Sequence, residues 1–188
     1  MIDVTLIYAR GANGHLCYGD KPIGWHPQVS PSTRALDQAI LRRVLREKYS
    51  GKCAAVMTRN CAEELEKAPK YLDALDKAVK AIIVTSRDRV ALSWLDNPDE
   101  LEVYTKHSKD KDSWHLERIM ALAIDHDFTS LLILGGPILY ERFLPLADEI
   151  HETTFHAATT GSGHFVDNRE GVGYSVDYGE LTYRVRRL

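Results

Sequence analysis

A pair of adjacent glycines, Gly135 and Gly136, is the clearest place in this sequence for chemistry with a phosphate group. The pair follows an apolar run at residues 131–134, typical of a buried strand, and precedes a helical segment at 138–144. A strand that turns into a helix brings backbone N–H groups and the positive end of the helix dipole to one point. Missing side chains would let a phosphate come close, although many glycine pairs serve only turns that need a positive φ.

Two arginines, each just after a predicted strand, receive a phosphate-binding role from the family resemblance described below. Arg59 and Arg87 follow predicted strands at residues 53–57 and 81–86. An arginine fork can bond phosphate oxygens in pairs. Either arginine alone would more often be a solvated surface side chain, but the two together favour an anion site.

One acid, Asp37, has a pattern that suits proton transfer. Residues 30–33, Ser-Pro-Ser-Thr, supply helix-capping chemistry, so a helix is expected to start there. Asp37 precedes Ile40 and Leu41 by three and four residues, so it shares their apolar stripe. Burial in that stripe would raise its pKa toward values useful in catalysis. The alternative is an exposed acid near the helix start, favoured by the helix dipole.

The elements that must position these residues alternate between strands and helices. Aliphatic and β-branched runs predict strands over residues 2–9, 53–57, 81–86, 101–105 and 131–134. Spacing and capping signals predict helices after 30–33, from 62 to at least 65, and over 114–125 and 138–144. Strands follow over 150–157 and 163–166, with a final hairpin over 174–185. This order predicts an α/β fold in one domain, residues 1–188: a central mostly parallel sheet, helices on both faces and a C-terminal antiparallel hairpin.

Composition and charge exclude several classes of protein. The chain is 44% hydrophobic and 27% charged, as an ordinary globular domain is, and has no apolar run of roughly 18 residues that could span a membrane. Its net charge of −3 gives no basic footprint for nucleic acid. The first residues lack the basic lead of a signal peptide. We therefore expect a cytoplasmic protein with no nucleic-acid or membrane partner. We also expect a monomer, and the family resemblance described below implies a small-molecule substrate.

The cysteines and histidines do not suggest a metal centre. Three cysteines, Cys17, Cys53 and Cys61, form no C-x-x-C pair and are expected to be reduced thiols. His151 and His156 lie five apart on a predicted strand, so they face opposite ways. The other spacings do not match ligand patterns either, so no metal site is expected.

The segment around the glycine pair is closely similar to one in the dihydrofolate reductase family. Residues 132–150, LILGGPILYERFLPLADEI, match the family segment in which a glycine pair, joined there by a cis peptide bond, precedes a helix with a tyrosine and then Phe-Leu-Pro. Other segments resemble the family's first strand, active-site loop, Leu-Pro-Trp, Met-Gly-Arg turn and strand-end Leu-Ser-Arg: residues 6–9, 13–16, 23–25, 56–59 and 83–87. The chain thus resembles a divergent member of that family.

The resemblance implies an NADPH-dependent enzyme of one-carbon metabolism that reduces 7,8-dihydrofolate to 5,6,7,8-tetrahydrofolate, with hydride going to C6 and a proton to N5. It places Arg59 and Arg87 on the 2′-phosphate of NADPH and Ser86 near the adenosine. The rest of the cofactor would be lined by Ala9, Leu16, Thr58, Asn60, Cys61, Gly135, Gly136, Ile138, Leu139 and Tyr140, the last beside the ring from which the hydride leaves.

The same resemblance assigns the substrate side. Asp37 would support protonation of N5, with help from Trp25 and from Thr153, whose hydroxyl would orient the acid. Tyr140 is counted with them as a catalytic residue. The pterin and the aminobenzoyl ring would be bracketed by Ile7, Tyr8, Leu41 and Leu65, and Arg42 is a candidate for the glutamate tail.

Two departures from the family pattern keep other functions open. The family's acid lies about five residues after the tryptophan, where this chain has Ser30, so the assignment of Asp37 implies an insertion. The family's tail-binding arginine falls near Val79, and Lys77, Lys80 or Arg42 would have to replace it. The alternatives are a riboflavin-pathway-type pyrimidine reductase, which lacks the tryptophan loop and the helix acid, and a non-catalytic nucleotide-binding module of the same fold.

Overall fold

The main sheet has eight strands, and a computed structural model describes them within residues 1–18, 21–22, 26–48, 52–66, 80–85, 101–105, 114–158, 163–165, 167 and 169–188. The strands are β1 (Asp3–Gly11), β4 (Cys53–Thr58), β5 (Lys80–Thr85), β6 (Leu101–Thr105), β7 (Ser130–Gly135), β8 (Glu149–Phe155), β9 (Val172–Asp177) and β10 (Leu181–Arg187). Their order is β6-β5-β4-β7-β1-β8-β10-β9. Two short strands, β2 (Cys17–Tyr18) and β3 (Lys21–Pro22), pair separately.

The first six strands of the main sheet along the chain are parallel, and β10 pairs antiparallel with both β8 and β9. The parallel strands are apolar without a break because both faces of the sheet are covered; all of residues 53–57 are buried. This confirms the α/β fold with a mostly parallel sheet and a C-terminal antiparallel hairpin. The hairpin strands extend two residues beyond the predicted range at each end.

Four described helices cover the two faces: α1 (Pro31–Lys48), α2 (Arg59–Glu66), α3 (Trp114–Asp125) and α4 (Pro137–Phe143). Ile40, Val44 and Leu45 of α1 join a core that also contains residues of α2. Leu139 and Phe143 of α4 join the opposite core, together with residues of α3. Strand side chains alternate between the two cores, which fixes the face of every residue near the site.

The start of α1 is held by the capping chemistry that the sequence predicts. The Ser30 hydroxyl oxygen accepts a hydrogen bond from the Thr33 N–H at 3.2 Å. The hydroxyls of Ser30 and Thr33 also donate hydrogen bonds to the carboxylate of Glu180, in the turn between β9 and β10, at 2.8 and 2.6 Å. The residues at the start of α1 are therefore held against the C-terminal hairpin, and this contact fixes where α1 begins.

Two predicted elements differ from the structure. Residues 163–165, the described part of the strand predicted at 163–166, form a single antiparallel bridge between His164 and His15, because Gly163 has a positive φ of 80° that interrupts extended backbone. The helix predicted from residue 62 begins at Arg59, directly after the end of β4. Within the described residues, no helix combines the length and apolar character needed to cross a bilayer.

Candidate active site

The sheet opens between β1 and β7 at the carboxyl ends of its parallel strands. Pairing between these two strands stops at Leu6 and Ile133. Beyond that point β1 continues to Gly11 beside β8, and β7 continues to Gly135 beside β4. Ligands of open α/β sheets bind in such a crevice, where the direction of strand order reverses. The gap between β1 and β7 is therefore the candidate active site.

On the α1 face of this crevice, Asp37 and Thr153 come together. Thr153 lies opposite Ala9 in the pairing of β8 with β1, so it is level with the opened end of β1. Its hydroxyl donates a hydrogen bond to the Asp37 carboxylate. Burial raises the pKa of Asp37 to about 6, and the hydrogen bond from Thr153 opposes that rise. Ile7 is buried on the same face.

On the opposite face, Tyr140 of α4 braces the crevice. Its hydroxyl donates to the Ile7 carbonyl oxygen at 2.9 Å, just past the last residue of β1 that pairs with β7. Its ring centroid lies 5.4 Å from that of Tyr8 and 5.6 Å from that of Phe165. The side chain is buried, so the structure places Tyr140 behind the crevice, holding β1 in its splayed position.

The structure does not bring the Tyr8 side chain to the acid. Ile7 and Tyr8 are neighbours on β1, so their side chains face opposite sides of the sheet. The Tyr8 hydroxyl donates to Glu152 at 2.8 Å, and burial, followed by the charge of Glu152, raises the pKa of Tyr8. Of these two predicted substrate residues, Ile7 has its side chain on the Asp37 face and Tyr8 has its side chain on the opposite face.

Sequence reasoning missed a buried charge cluster next to Tyr8, formed by Arg10, Glu152, Asp167 and Arg186. Glu152 pairs with Arg10 at 2.8 Å and with Arg186 at 3.0 Å. Arg186 also pairs with Asp167 at 3.0 Å. Despite its burial, the pKa of Glu152 is held below its usual value, chiefly by hydrogen bonds from Arg10 and Thr154. Charged residues at inward positions of β8 and β10 are the signal that could have found it.

The glycine turn is shaped by close packing as well as by backbone conformation. Gly136 has a φ of 99°, and the bond joining it to Gly135 is trans, unlike the cis bond that the resemblance implies. A Cβ on Gly136 would collide with Thr58 Cγ2, and one on Gly135 with the Cys61 thiol. These two side chains thus fill the space into which a side chain at either glycine would project, and this close packing requires glycine at both positions. No side chain caps the start of α4.

Arg59 is the first residue of α2 and stands at the end of β4, next to this turn. Its Nη1 pairs with Glu63 Oε1 at 2.5 Å, and its Nη2 donates to Asn60 Oδ1 at 2.7 Å. Both Nη groups of the guanidinium are therefore engaged by residues of its own helix. The four-residue spacing of Arg59 and Glu63 on a helix could have predicted the pair.

No protein-family model matches the chain, and no curated protein does so either. Among solved structures it is similar to dihydrofolate reductase from Enterococcus faecalis complexed with NADP(H) and RAB-propyl. The TM-score is 0.55 at 16% sequence identity, and the match covers 98% of this chain and 95% of that one. The chain has a dihydrofolate reductase-like fold. The likeness spans nearly all of both chains.

Within this dihydrofolate reductase-like fold, the remaining predicted residues fall into three groups. Leu16 and Leu139 are buried in the core on the α3 and α4 side. Ala9 and Leu41 are partly buried and pack against the α1 core. The more exposed residues are Asn60, Ile138 and Arg42, the last of which lines a shallow depression along α1. Outside the described residues lie Trp25, Ser86, Arg87 and the side chain of Leu65.

The buried histidine of β8 is engaged by its neighbours. His151 Nδ1 is hydrogen-bonded to the Tyr183 hydroxyl at 2.6 Å, and Nε2 to Glu149 at 2.6 Å. Burial lowers the pKa of His151, although Glu149 opposes that shift. In the part of the chain that the structure describes, no group of three or more His, Cys, Asp or Glu residues could hold a metal ion.

Proposed function

We propose that this protein reduces 7,8-dihydrofolate to 5,6,7,8-tetrahydrofolate with NADPH as hydride donor. The observation that carries the proposal is the Asp37 and Thr153 pair at the crevice between β1 and β7. A half-buried carboxyl with a pKa of about 6 can be neutral or ionised near physiological pH, as proton-transfer chemistry requires. The likeness to a dihydrofolate reductase solved with NADP(H) supports the choice of reaction.

The residues around the crevice suit the substrate half of this reaction. When bound, NADPH supplies the hydride that C6 of the pterin accepts. Asp37 supports the proton delivered to N5, and Thr153 orients its carboxyl. Ile7 and Leu41 supply apolar surface on the Asp37 face. Tyr140 holds the end of β1 through its hydrogen bond to the Ile7 carbonyl oxygen, apart from β7, which leaves room for the pterin ring at the crevice. Trp25 remains a proposed helper of the proton step.

The cofactor half fits in part. The uncapped first turn of α4 and the first turn of α2 lie side by side, because Gly136 packs on Thr58 and Gly135 on Cys61. Two helix starts at one edge of the sheet favour a pyrophosphate there. Arg59 is proposed to bind the 2′-phosphate. To do so, its guanidinium must first break its ion pair with Glu63 or its hydrogen bond to Asn60. Ser86 and Arg87 are proposed to complete the site for the adenosine 2′-phosphate end of NADPH. Arg42 is proposed to bind the glutamate tail of the substrate. The protein is proposed to act in the cytosol.

The test is the fall in NADPH absorbance with 7,8-dihydrofolate present, for the wild type, Asp37→Asn and Glu47→Gln. Asparagine keeps the size of Asp37 and removes its proton, so Asp37→Asn should lower the rate at pH 7 by about 100-fold or more. Glu47→Gln is the matched control, since Glu47 is an exposed acid on the same helix, and it should keep the wild-type rate.

The outcomes separate the alternatives. A wild type that binds NADPH without consuming it in the presence of dihydrofolate would be a nucleotide-binding module, and the reductase proposal would fail. Consumption with a ribosylamino-pyrimidine but not with dihydrofolate would replace the substrate. Full activity of Asp37→Asn at neutral pH would remove Asp37 from the mechanism and leave the fold unaffected.

A further inference from the structure

We propose that Glu63 is a specificity-determining residue of the cofactor site, which lowers the preference for NADPH over NADH by holding the guanidinium of Arg59. The inference rests on the proposed function, because it assumes a nicotinamide dinucleotide at the carboxyl ends of β4 and β7. Glu63 is not among the predicted site residues, and its effect would differ between NADPH and NADH.

The geometry of the α2 start places Glu63 in direct competition with a ligand phosphate. Arg59 and Glu63 are one helical turn apart, with side chains 22% and 39% exposed, so the pair lies at the rim of the site. Glu63 holds Nη1 at 2.5 Å, and Asn60 accepts from Nη2 at 2.7 Å. A phosphate that bonds the fork in the paired manner typical of arginine must displace at least one of these partners.

The charges make this displacement selective. The adenosine 2′-phosphate of NADPH is an anion. Near Arg59 its attraction to the guanidinium is reduced, because Glu63 already pairs with that cation, and the carboxylate of Glu63 repels the phosphate. The ribose of NADH carries a neutral 2′-hydroxyl there, and a carboxylate can accept its hydrogen, as acidic residues do in dinucleotide-binding sites. Glu63 therefore works against NADPH and not against NADH.

The size of the effect follows from the exposure of the pair. Rim ion pairs are weakened by water and salt, so removing the carboxylate should strengthen NADPH binding by about two- to five-fold. The same change should leave NADH binding unchanged or slightly weaker. The ratio of the two dissociation constants is thus the quantity to measure.

The experiment measures dissociation constants for NADPH and NADH by quenching of protein fluorescence at low salt. The proteins are the wild type, Glu63→Gln, Arg59→Gln and the double variant, with Glu64→Gln as a control for an equal change of net charge on the same helix. We expect Glu63→Gln to tighten NADPH alone, Glu64→Gln to change neither constant, and Glu63→Gln to have no effect once Arg59 is replaced. Thermal unfolding of each variant checks that it is folded.

Each other result overturns the inference in a distinguishable way. If both dinucleotides bind the wild type and Glu63→Gln leaves their ratio unchanged, Glu63 is not a specificity determinant, although the proposed function stands. If Glu63→Gln tightens NADPH equally in the Arg59→Gln background, the carboxylate acts by general charge and not through the arginine. If the wild type binds neither dinucleotide, the proposed function fails and the inference fails with it.

Discussion

At the scale of single residues, two opposing effects set the proton affinity of Asp37. Burial against the α1 core favours the neutral acid, whereas the hydrogen bond from the Thr153 hydroxyl favours the carboxylate. The first effect is larger, so the pKa is about 6, well above the ordinary 3.8. The neutral form is therefore available at mildly acid pH, and a rate that needs it should fall as pH rises above about 6.

Replacing Thr153 tests this balance. Thr153→Val keeps the shape of the side chain and removes the donor, so the pKa of Asp37 should rise further above about 6. The pH profile of NADPH oxidation should shift to higher pH accordingly. Thr154→Val is the neighbouring control, because Thr154 bonds Glu152 on the other face and should leave the profile in place. An unshifted profile for Thr153→Val would show that the hydroxyl does not act on Asp37.

At the scale of elements, the turn from β7 into α4 combines backbone strain with a close approach. Gly136 has a positive φ, and a Cβ there would also collide with Thr58. Gly179, in the turn between β9 and β10, has a similar φ of 89° but no heavy atom within 4 Å of an added Cβ. The two glycines thus separate the cost of the dihedral angle from the cost of the contact.

Alanine at each position measures those two costs by urea denaturation. Gly179→Ala should lower the free energy of unfolding by about 1–2 kcal/mol, the usual cost of a positive φ. Gly136→Ala adds a collision and should lower it by roughly 2–4 kcal/mol. Equal losses at the two sites would mean that Thr58 moves aside freely and that the close packing of the β7–α4 turn against the end of β4 does not contribute to stability.

At the scale of the whole molecule, the buried cluster around Glu152 links β1, β8 and β10 to Asp167 and Arg169. Its partners are as far apart in the chain as Tyr8 and Arg186, which are separated by 178 positions. The folded pKa of Glu152 is lower than the unfolded value, so the folded state holds fewer protons between the two. Its contribution to stability is present above the unfolded pKa and is lost as pH falls through the folded pKa.

Glu152→Gln tests the cluster by its pH dependence. At pH 7 the change leaves the buried Arg186 with less negative charge and should lower the free energy of unfolding by about 3–5 kcal/mol. The difference from the wild type should shrink as pH falls below about 4, because the wild type then loses the same charge. Glu47→Gln, in an exposed pair with Arg43, should change stability by less than about 0.5 kcal/mol. A loss at Glu152 that is independent of pH would assign it to packing.

The sequence by itself determined the features that depend on neighbours along the chain. The strand and helix order, the capped start of α1, the glycine turn and the apolar stripe that buries Asp37 all follow from local spacing and residue type. Even the pair of Arg59 with Glu63 could have been predicted from helical periodicity.

Only the tertiary structure decided which distant residues meet. The end of β1–β7 pairing at Leu6, the bond from Thr153 to Asp37, the side chains that fill the space beside the glycines and the cluster at Glu152 all join segments far apart in the chain. Such contacts depend on strand order and on how the helices pack, and local propensity carries no information about either. The glycine turn shows the difference: the local sequence places Gly135 and Gly136 at the end of β7, but only the tertiary structure packs them against Thr58 and Cys61.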